Sequence, residues 1–272
     1  MFKTSMAAAA FAAASLTGGI ANAAIFDLAF IMDESGSVGS SNYTSAMDSL
    51  ADALEASLTS DVLAQDQYNI TVISFSDGTT VDVSSTLVSN TTDLAGVTSD
   101  IRAATHSGGF TDYELAFDTL LAQTNALTNG AAGSIINMMT DGVPCLSGNC
   151  PVDPTTGIEG ARDDLVTAGW DSLSFEAVTG APDTDFLASL AFDTTGVGTT
   201  NVIDDPADIS DPLNETFVLK VSSFGDDYDA AIASKVARIV EPDPIPVPAA
   251  LPLLAGGLAL FGFVGRRRRA AS

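Results

Sequence analysis

Two hydrophobic rhythms alternate along this chain. Apolar runs of strand length occur at "AIFDLAFIM" (24–32), "YNITVISFS" (68–76), "TTVDVSSTL" (79–87), "SIINMMT" (134–140), "SLSFEAVTG" (172–180) and "TFVLKV" (216–221). Between them, apolar residues return every three or four positions, as at Ala46, Leu50, Leu54 and Leu58, which is the spacing of one helix face. The same rhythm predicts helices over 94–104, 112–127 (with Leu115, Leu120 and Leu121 inward), 157–169, 185–190 and 226–240. Asp77-Gly78 separates two runs as a hairpin signal and so predicts one antiparallel edge strand. Strands alternating with helices imply an α/β fold: a doubly wound, mostly parallel six-stranded sheet with helices on both faces. Residues 24–241 are of a length that one such domain fills.

The two ends break the pattern. Lys3, an alanine-rich run from Met6 to Leu16, and Ala21-Asn22-Ala23 have the layout of a secretory signal peptide cut after Ala23. At the other end, four prolines in 242–248 predict an extended spacer. Residues 249–265 are uncharged and long enough as a helix to span roughly 30 Å of hydrocarbon, and a basic tail, 266–272, opens with Arg266 to Arg269. Such a cluster is expected to stay cytoplasmic, leaving the body of the protein outside. This tail resembles the PEP-CTERM sorting signals of Gram-negative bacteria, in the variant whose motif is VPLPA: Ile245, Pro246, Val247, Pro248 and Ala249 match it with two conservative changes. The resemblance implies an exosortase-type sorting enzyme as a partner, passage through the membrane, and export to the cell surface or its matrix. A plain membrane anchor is the alternative.

Charge sharpens the picture. The chain has 35 acidic and 10 basic residues and a formal net charge of −25. No acid lies in 1–23 or 249–272, whereas Lys3 and the four terminal arginines do, so the domain keeps only Arg102, Arg162, Lys220, Lys235 and Arg238 as strong bases. Nucleic acid is excluded as a partner, because phosphate binding needs clustered Lys and Arg. Cys145 and Cys150 are the only cysteines, and export makes a disulfide between them the expectation. The lone His106 is read as an exposed loop residue, and Trp170 as core. No G-x-S-x-G elbow or Cys–His pair points to an enzyme.

Oxygen-bearing side chains gather where strands should end. Phe30-Ile31-Met32 runs into Asp33-Glu34-Ser35-Gly36-Ser37, "INMMTDG" delivers Asp141, and Gly108-Gly109 precedes Thr111 at the opening of a helix. In parallel sheets, ligands bind at the carboxyl ends of strands, at the point where the strand order reverses. Two carboxylates and three hydroxyls suit a hard divalent cation, which selects oxygen ligands.

Asp33-x-Ser35-x-Ser37, Thr111 after Gly-Gly, and Asp141 in "MMTDG" resemble, in order and separation, the metal-ion-dependent adhesion site of von Willebrand factor type A domains. The likeness runs from about Ile25 to Val240. It implies Ser35, Ser37 and Thr111 as hydroxyl ligands, with Asp33 and Asp141 as acids acting directly or through water. It further implies Mg²⁺ or Mn²⁺ rather than Ca²⁺, and a protein partner that presents a carboxylate to the metal. Glu34 is expected to point away from the metal. The segment 193–215 is longer than the usual link before the last strand. Its Asp204, Asp205, Asp208 and Asp211 lack the spacing of a calcium loop and are read as solvated surface, a weak calcium site being the alternative. "PCLSGNCP", directly after Asp141, should rim the metal face.

Overall fold

The computed structural model describes residues 23–240, apart from short stretches at 124–130, 147–149, 153–154, 180–181, 199–200, 210–211 and 213–214. The segments expected to be a leader, a proline spacer with the Ile245–Ala249 motif, a membrane-spanning helix and a basic tail therefore lie outside the described residues, apart from Ala23. Among the described residues, no helix is long and apolar enough to cross a membrane.

The central strand is β1 (Ile25–Asp33), whose last seven residues are all buried. That burial explains why it reads as an apolar run rather than an alternation: both of its faces are covered. It pairs in parallel with β2 (Gln67–Phe75) on one side and β4 (Gly133–Thr140) on the other. Outside β2 lies β3 (Thr79–Val88), antiparallel as the Asp77-Gly78 turn predicts. Outside β4 come β5 (Ser172–Val178) and then β9 (Phe217–Val221), both parallel.

The chain thus builds outward from β1 through β2, then returns to start the other half at β4. The reversal falls between β1 and β4, and a crevice at their carboxyl ends follows from that connectivity.

Among the described residues, seven helices cover the sheet. On one face, α1 (Ser40–Ser57), α2 (Ser60–Leu63), α3 (Thr91–Ala103) and α7 (Asp226–Val240) pack Leu50, Leu54, Leu63, Ile101 and Ile232 against Leu28, Phe30 and Leu219. On the other face, α4 (Tyr113–Ala122), α5 (Thr156–Thr167) and α6 (Thr184–Leu190) pack Phe117, Leu120, Leu165 and Leu187 against Ile31, Ile136 and Phe175. The inward face of α4 is Tyr113, Ala116, Phe117 and Leu120, with Leu121 partly buried against the same core; Leu115 is only partly buried and outside it, contrary to the sequence expectation. Trp170 is in this second core layer, as expected.

The sheet departs from the six expected strands by three short additions. β6 (Phe192–Asp193) and β7 (Gly196–Val197) form a small hairpin against the start of β5, and β8 (Asn201–Ile203) adds in parallel to the outer edge of β9. β7 and β8 come from the segment read as an over-long link before the last strand, and β6 leads into it. Strands of two or three residues carry no periodicity to detect; what holds them is local. Asp193 Oδ1 accepts from the backbone of Thr195 (2.7 Å) and Gly196 (3.2 Å), closing the hairpin turn.

Candidate metal centre

Asp33 ends β1 and is fully buried. Its Oδ1 accepts from the Ser35 backbone N–H at 2.8 Å, which bends the chain sharply after the strand. Its Oδ2 accepts from the Thr140 hydroxyl at 2.6 Å, across the β1–β4 seam. Ser35 and Ser37 stand on that turn with their hydroxyls 3.1 Å apart, and Ser37 Oγ donates to Asp141 Oδ1 at 2.8 Å. Ser35 is buried while Ser37 is exposed, so the cluster opens to solvent on the Ser37 side.

The third loop arrives from α3. Gly108 and Gly109 have φ of +74° and +118°, and a Cβ on Gly109 would sit 2.3 Å from Asp77 Oδ1. Only glycine tolerates that backbone at that approach. The Gly109 carbonyl in turn accepts from the Gly36 N–H at 3.0 Å, tying the loop to the Asp33–Ser37 turn. Two residues on, Thr111 exchanges backbone hydrogen bonds with Cys145, both at 2.9 Å, and Asp112 caps α4 by accepting from the Leu115 N–H at 3.0 Å. A Cβ on Gly142 would lie 3.8 Å from both Ser37 Oγ and Thr111 Oγ1, so the two hydroxyls overhang one glycine beside Asp141. All five expected ligands are thus brought to the carboxyl ends of β1 and β4.

The electrostatics are unusual for two neighbouring acids. Burial pushes the Asp33 carboxyl up to about 6; hydrogen bonds from Ser35 and Thr140 work against the rise, and Asp141 adds to it. Asp141 is raised as well, mainly by burial and against the Ser37 hydrogen bond. No lysine or arginine contributes to either shift. Among the described residues, no group of three or more His, Cys, Asp or Glu is placed so that it could hold a metal ion, so a cation here would depend on the hydroxyls as well as on Asp33 and Asp141. The donor set expected here is two carboxylates and three neutral hydroxyls, all oxygen. It fits a hard divalent cation and offers nothing to a soft one.

Several supporting residues carried no motif. Thr140 fixes the Asp33 carboxylate, and the buried Tyr113 hydroxyl donates to the Gly142 carbonyl at 2.8 Å while standing 3.0 Å from Thr140 Oγ1. The only sequence signal for Thr140 was its place just before Asp141. Glu34 points away from the cluster, as expected, but it is buried: its Oε2 accepts from the Ser107 N–H at 2.8 Å and steadies the glycine loop. His106 is not a free surface residue. It is partly buried, with Nε2 3.2 Å from the Ser35 carbonyl and its ring 5.7 Å from that of Tyr43.

Cys145 and Cys150 are joined, with Cα atoms 4.4 Å apart, and the backbone pairing of Cys145 with Thr111 puts this staple at the rim of the cluster. Among the described residues, the aspartates of 193–215 form no group that could hold a metal ion. Asp204 pairs with Lys220 at 3.2 Å, Asp205 accepts from the Ala207 N–H at 2.9 Å, Asp208 lies on a 3-10 turn, and Asp211 lies outside the described residues.

Residues 28–143 match the family profile of the von Willebrand factor type A domain. Three solved structures share the fold. Proximal thread matrix protein 1 from the mussel byssus is 16% identical with a TM-score of 0.52, over 80% of this chain and 46% of that one. The pilus adhesin SpaC of Lactobacillus rhamnosus GG is 14% identical with a TM-score of 0.55, over 81% and 31%. A von Willebrand factor type A protein of Catenulispora acidiphila is 14% identical with a TM-score of 0.52, over 79% and 42%. The mussel protein has also been solved with zinc in its adhesion-site motif (16% identity, TM-score 0.50, over 79% and 46%). The chain spans less than half the length of each of these structures. Among curated proteins, none matches the sequence.

Proposed function

We propose that this protein is an exported binding module that holds Mg²⁺ or Mn²⁺ through Asp33, Ser35, Ser37, Thr111 and Asp141 and grips an acidic side chain of a partner protein through that metal. The observation that carries this reading is the charge balance of the cluster. Two carboxylates do not saturate a divalent cation, so a bound metal keeps positive character toward solvent and favours an incoming carboxylate. Ser37 is the exposed edge through which a ligand would arrive, and Phe110, 39% exposed beside Thr111, offers an apolar contact at the same rim. The mussel matrix protein and the pilus adhesin support a surface or matrix setting by fold alone.

The protein's own groups prepare the site before any ligand comes. Thr140 and the Ser35 N–H aim the Asp33 carboxylate, Ser37 aims Asp141, and the glycine loop sets Thr111. We read the domain as a binder and not an enzyme: the imidazole beside the cluster, His106, has its Nε2 on the Ser35 carbonyl at 3.2 Å, and the Glu34 carboxylate is buried against the Ser107 N–H. A second reading, a surface component whose metal only stabilises the fold, is favoured by the complete burial of Asp33.

Calorimetric titration of the full chain with Mg²⁺ tests the site: wild type should give a saturable heat that Asp33→Ala lacks, and equal titrations would reject the assignment. Pull-down from native cell surfaces with Mg²⁺, repeated with chelator, separates the two readings. A chelator-sensitive partner supports the binder; a chelator-sensitive melting temperature with no partner supports the structural role. For the tail, we propose passage through an exosortase-type enzyme and loss of residues beyond about Ala249. Abundant surface-fraction peptides covering Leu251 to Val264 would instead indicate a retained anchor.

A further inference from the structure

On the sheet face under α7, away from the metal cluster, three polar side chains meet inside the core. Asn137 comes from the middle of β4, Glu176 from β5 and Lys235 from α7; their exposures are 1%, 0% and 0%. Lys235 Nζ donates to Glu176 Oε1 at 3.1 Å and is in direct contact with Asn137 Oδ1. The Phe217 ring closes the other side, 4.6 Å from Nζ. Asn137 Nδ2, Glu176 Oε2, Ser174 Oγ and the Tyr228 hydroxyl, all around this point, make no hydrogen bond.

As a plain ion pair the arrangement is poor. Two charges are taken fully out of water, and four further polar atoms of the enclosure go unmatched. Burial pushes the Glu176 carboxyl up and the Lys235 ammonium down, against their mutual attraction. Both therefore move toward their neutral forms. A neutral amine is a nucleophile and a neutral carboxylic acid is a proton donor, and here both face the carbonyl of a primary amide.

From this geometry we propose that Lys235 and Asn137 become joined by an intramolecular amide bond, with Glu176 as the catalytic acid–base. The Nζ lone pair adds to Asn137 Cγ, and Glu176 gives its proton toward the amide group and takes one from Nζ. The Cγ–Nδ2 bond then breaks, Nδ2 leaves as ammonia, and Glu176 ends in the state in which it began. One C–N bond forms and one breaks, with no oxidation and no outside reactant. Fixed proximity supplies the rate that two free amides and amines lack. The product also removes two liabilities of the enclosure, the unpartnered Nδ2 and the buried ammonium.

The bond would tie the last helix to a central strand across 98 residues of sequence. Tension applied beyond Val240 would then reach the sheet through β4 instead of peeling α7 away. This holds whether or not the metal reading does.

Tryptic mapping of the reduced full-length wild-type protein tests it. The expected product is peptide 103–162 linked to peptide 221–238, uncut after Lys235, with a mass one ammonia below the sum of the two. Recovery of 103–162 and 221–235 as separate peptides, as the main products, would overturn the proposal. Glu176→Gln should leave the peptides separate; a linked Glu176→Gln product would overturn the assigned role of Glu176. Because the first measurement uses wild type, a variant that fails to fold does not weaken it.

Discussion

Ser37 Oγ donates to Asp141 Oδ1 at 2.8 Å, joining side chains 104 residues apart in sequence. The bond orients an exposed hydroxyl and a buried carboxylate toward the same point, and it spends the hydroxyl's single proton on Asp141. With that proton committed, Ser35 is the donor in its 3.1 Å contact with Ser37, which leaves one Ser37 lone pair to face a cation. Replacing Ser37 by Ala removes a ligand and the hydrogen bond that opposes the rise of the Asp141 carboxyl. We expect Ser37→Ala to weaken Mg²⁺ binding by at least about tenfold, the scale of a lost orienting contact, with the melting temperature of the metal-free chain nearly unchanged. An unchanged affinity would remove Ser37 from the site.

Thr140 provides a sharper test, because it is argued to act only through Asp33. Its hydroxyl donates to Asp33 Oδ2 at 2.6 Å and accepts from the Gly142 N–H at 3.2 Å. Thr140→Val keeps the shape and deletes both contacts. Mg²⁺ affinity is expected to fall about 10–100-fold. Thr140→Ser, which restores the hydroxyl, should recover most of it. A structural role alone would leave the affinity of both variants like wild type once folding is accounted for.

Much of this was legible in the sequence, and the boundary has physical causes. The inner strands read as unbroken apolar runs because both faces of the sheet are covered, and the helices over 40–58 and 226–240 are long and periodic, so these patterns survive noise. The cluster was legible because Asp33, Ser35 and Ser37 lie on one turn and because β4 must end where Asp141 begins. Glu34 and His106 were harder: an acid and an imidazole in a loop look like surface, and only the folded path shows them bracing Ser107 and Ser35. The Asn137–Glu176–Lys235 cluster was invisible because each member sits alone within an apolar run, and three distant elements must be packed before they meet.

Gly109 couples the fold to the site. Its φ of +118° is strained for any L side chain, and an added methyl would press into Asp77. Gly109→Ala should destabilise the chain by about 1–3 kcal/mol, read as a lower urea midpoint with an unchanged slope. Thr111 is carried by the same loop, so Mg²⁺ affinity should fall too. A variant with wild-type stability would mean that the loop has another path open to it.

The last prediction concerns acid, and it rests on a surface contact behind the glycine loop. Arg102, in the last turn of α3, donates to Glu55 Oε1 at 2.6 Å and Oε2 at 3.0 Å and to Asp52 Oδ1 at 2.5 Å, clamping α3 to α1. The Arg102 hydrogen bond, then that of Thr98, holds the Glu55 carboxyl at about 2, below its ordinary 4.5. A carboxyl whose pKa is depressed by folding contributes stability that is complete above the unfolded value and is lost as pH falls toward the folded one. The pair is largely solvated, with Glu55 44% exposed, so screening reduces its worth to about 0.5–1 kcal/mol. Arg102→Met should therefore be less stable than wild type by that amount near neutral pH, and the gap should close steadily as pH drops from about 4.5 toward 2. Urea titrations of both proteins across that range measure the gap. If it stays constant, Arg102 acts through packing of its stem on α1 and not through the charge of Glu55.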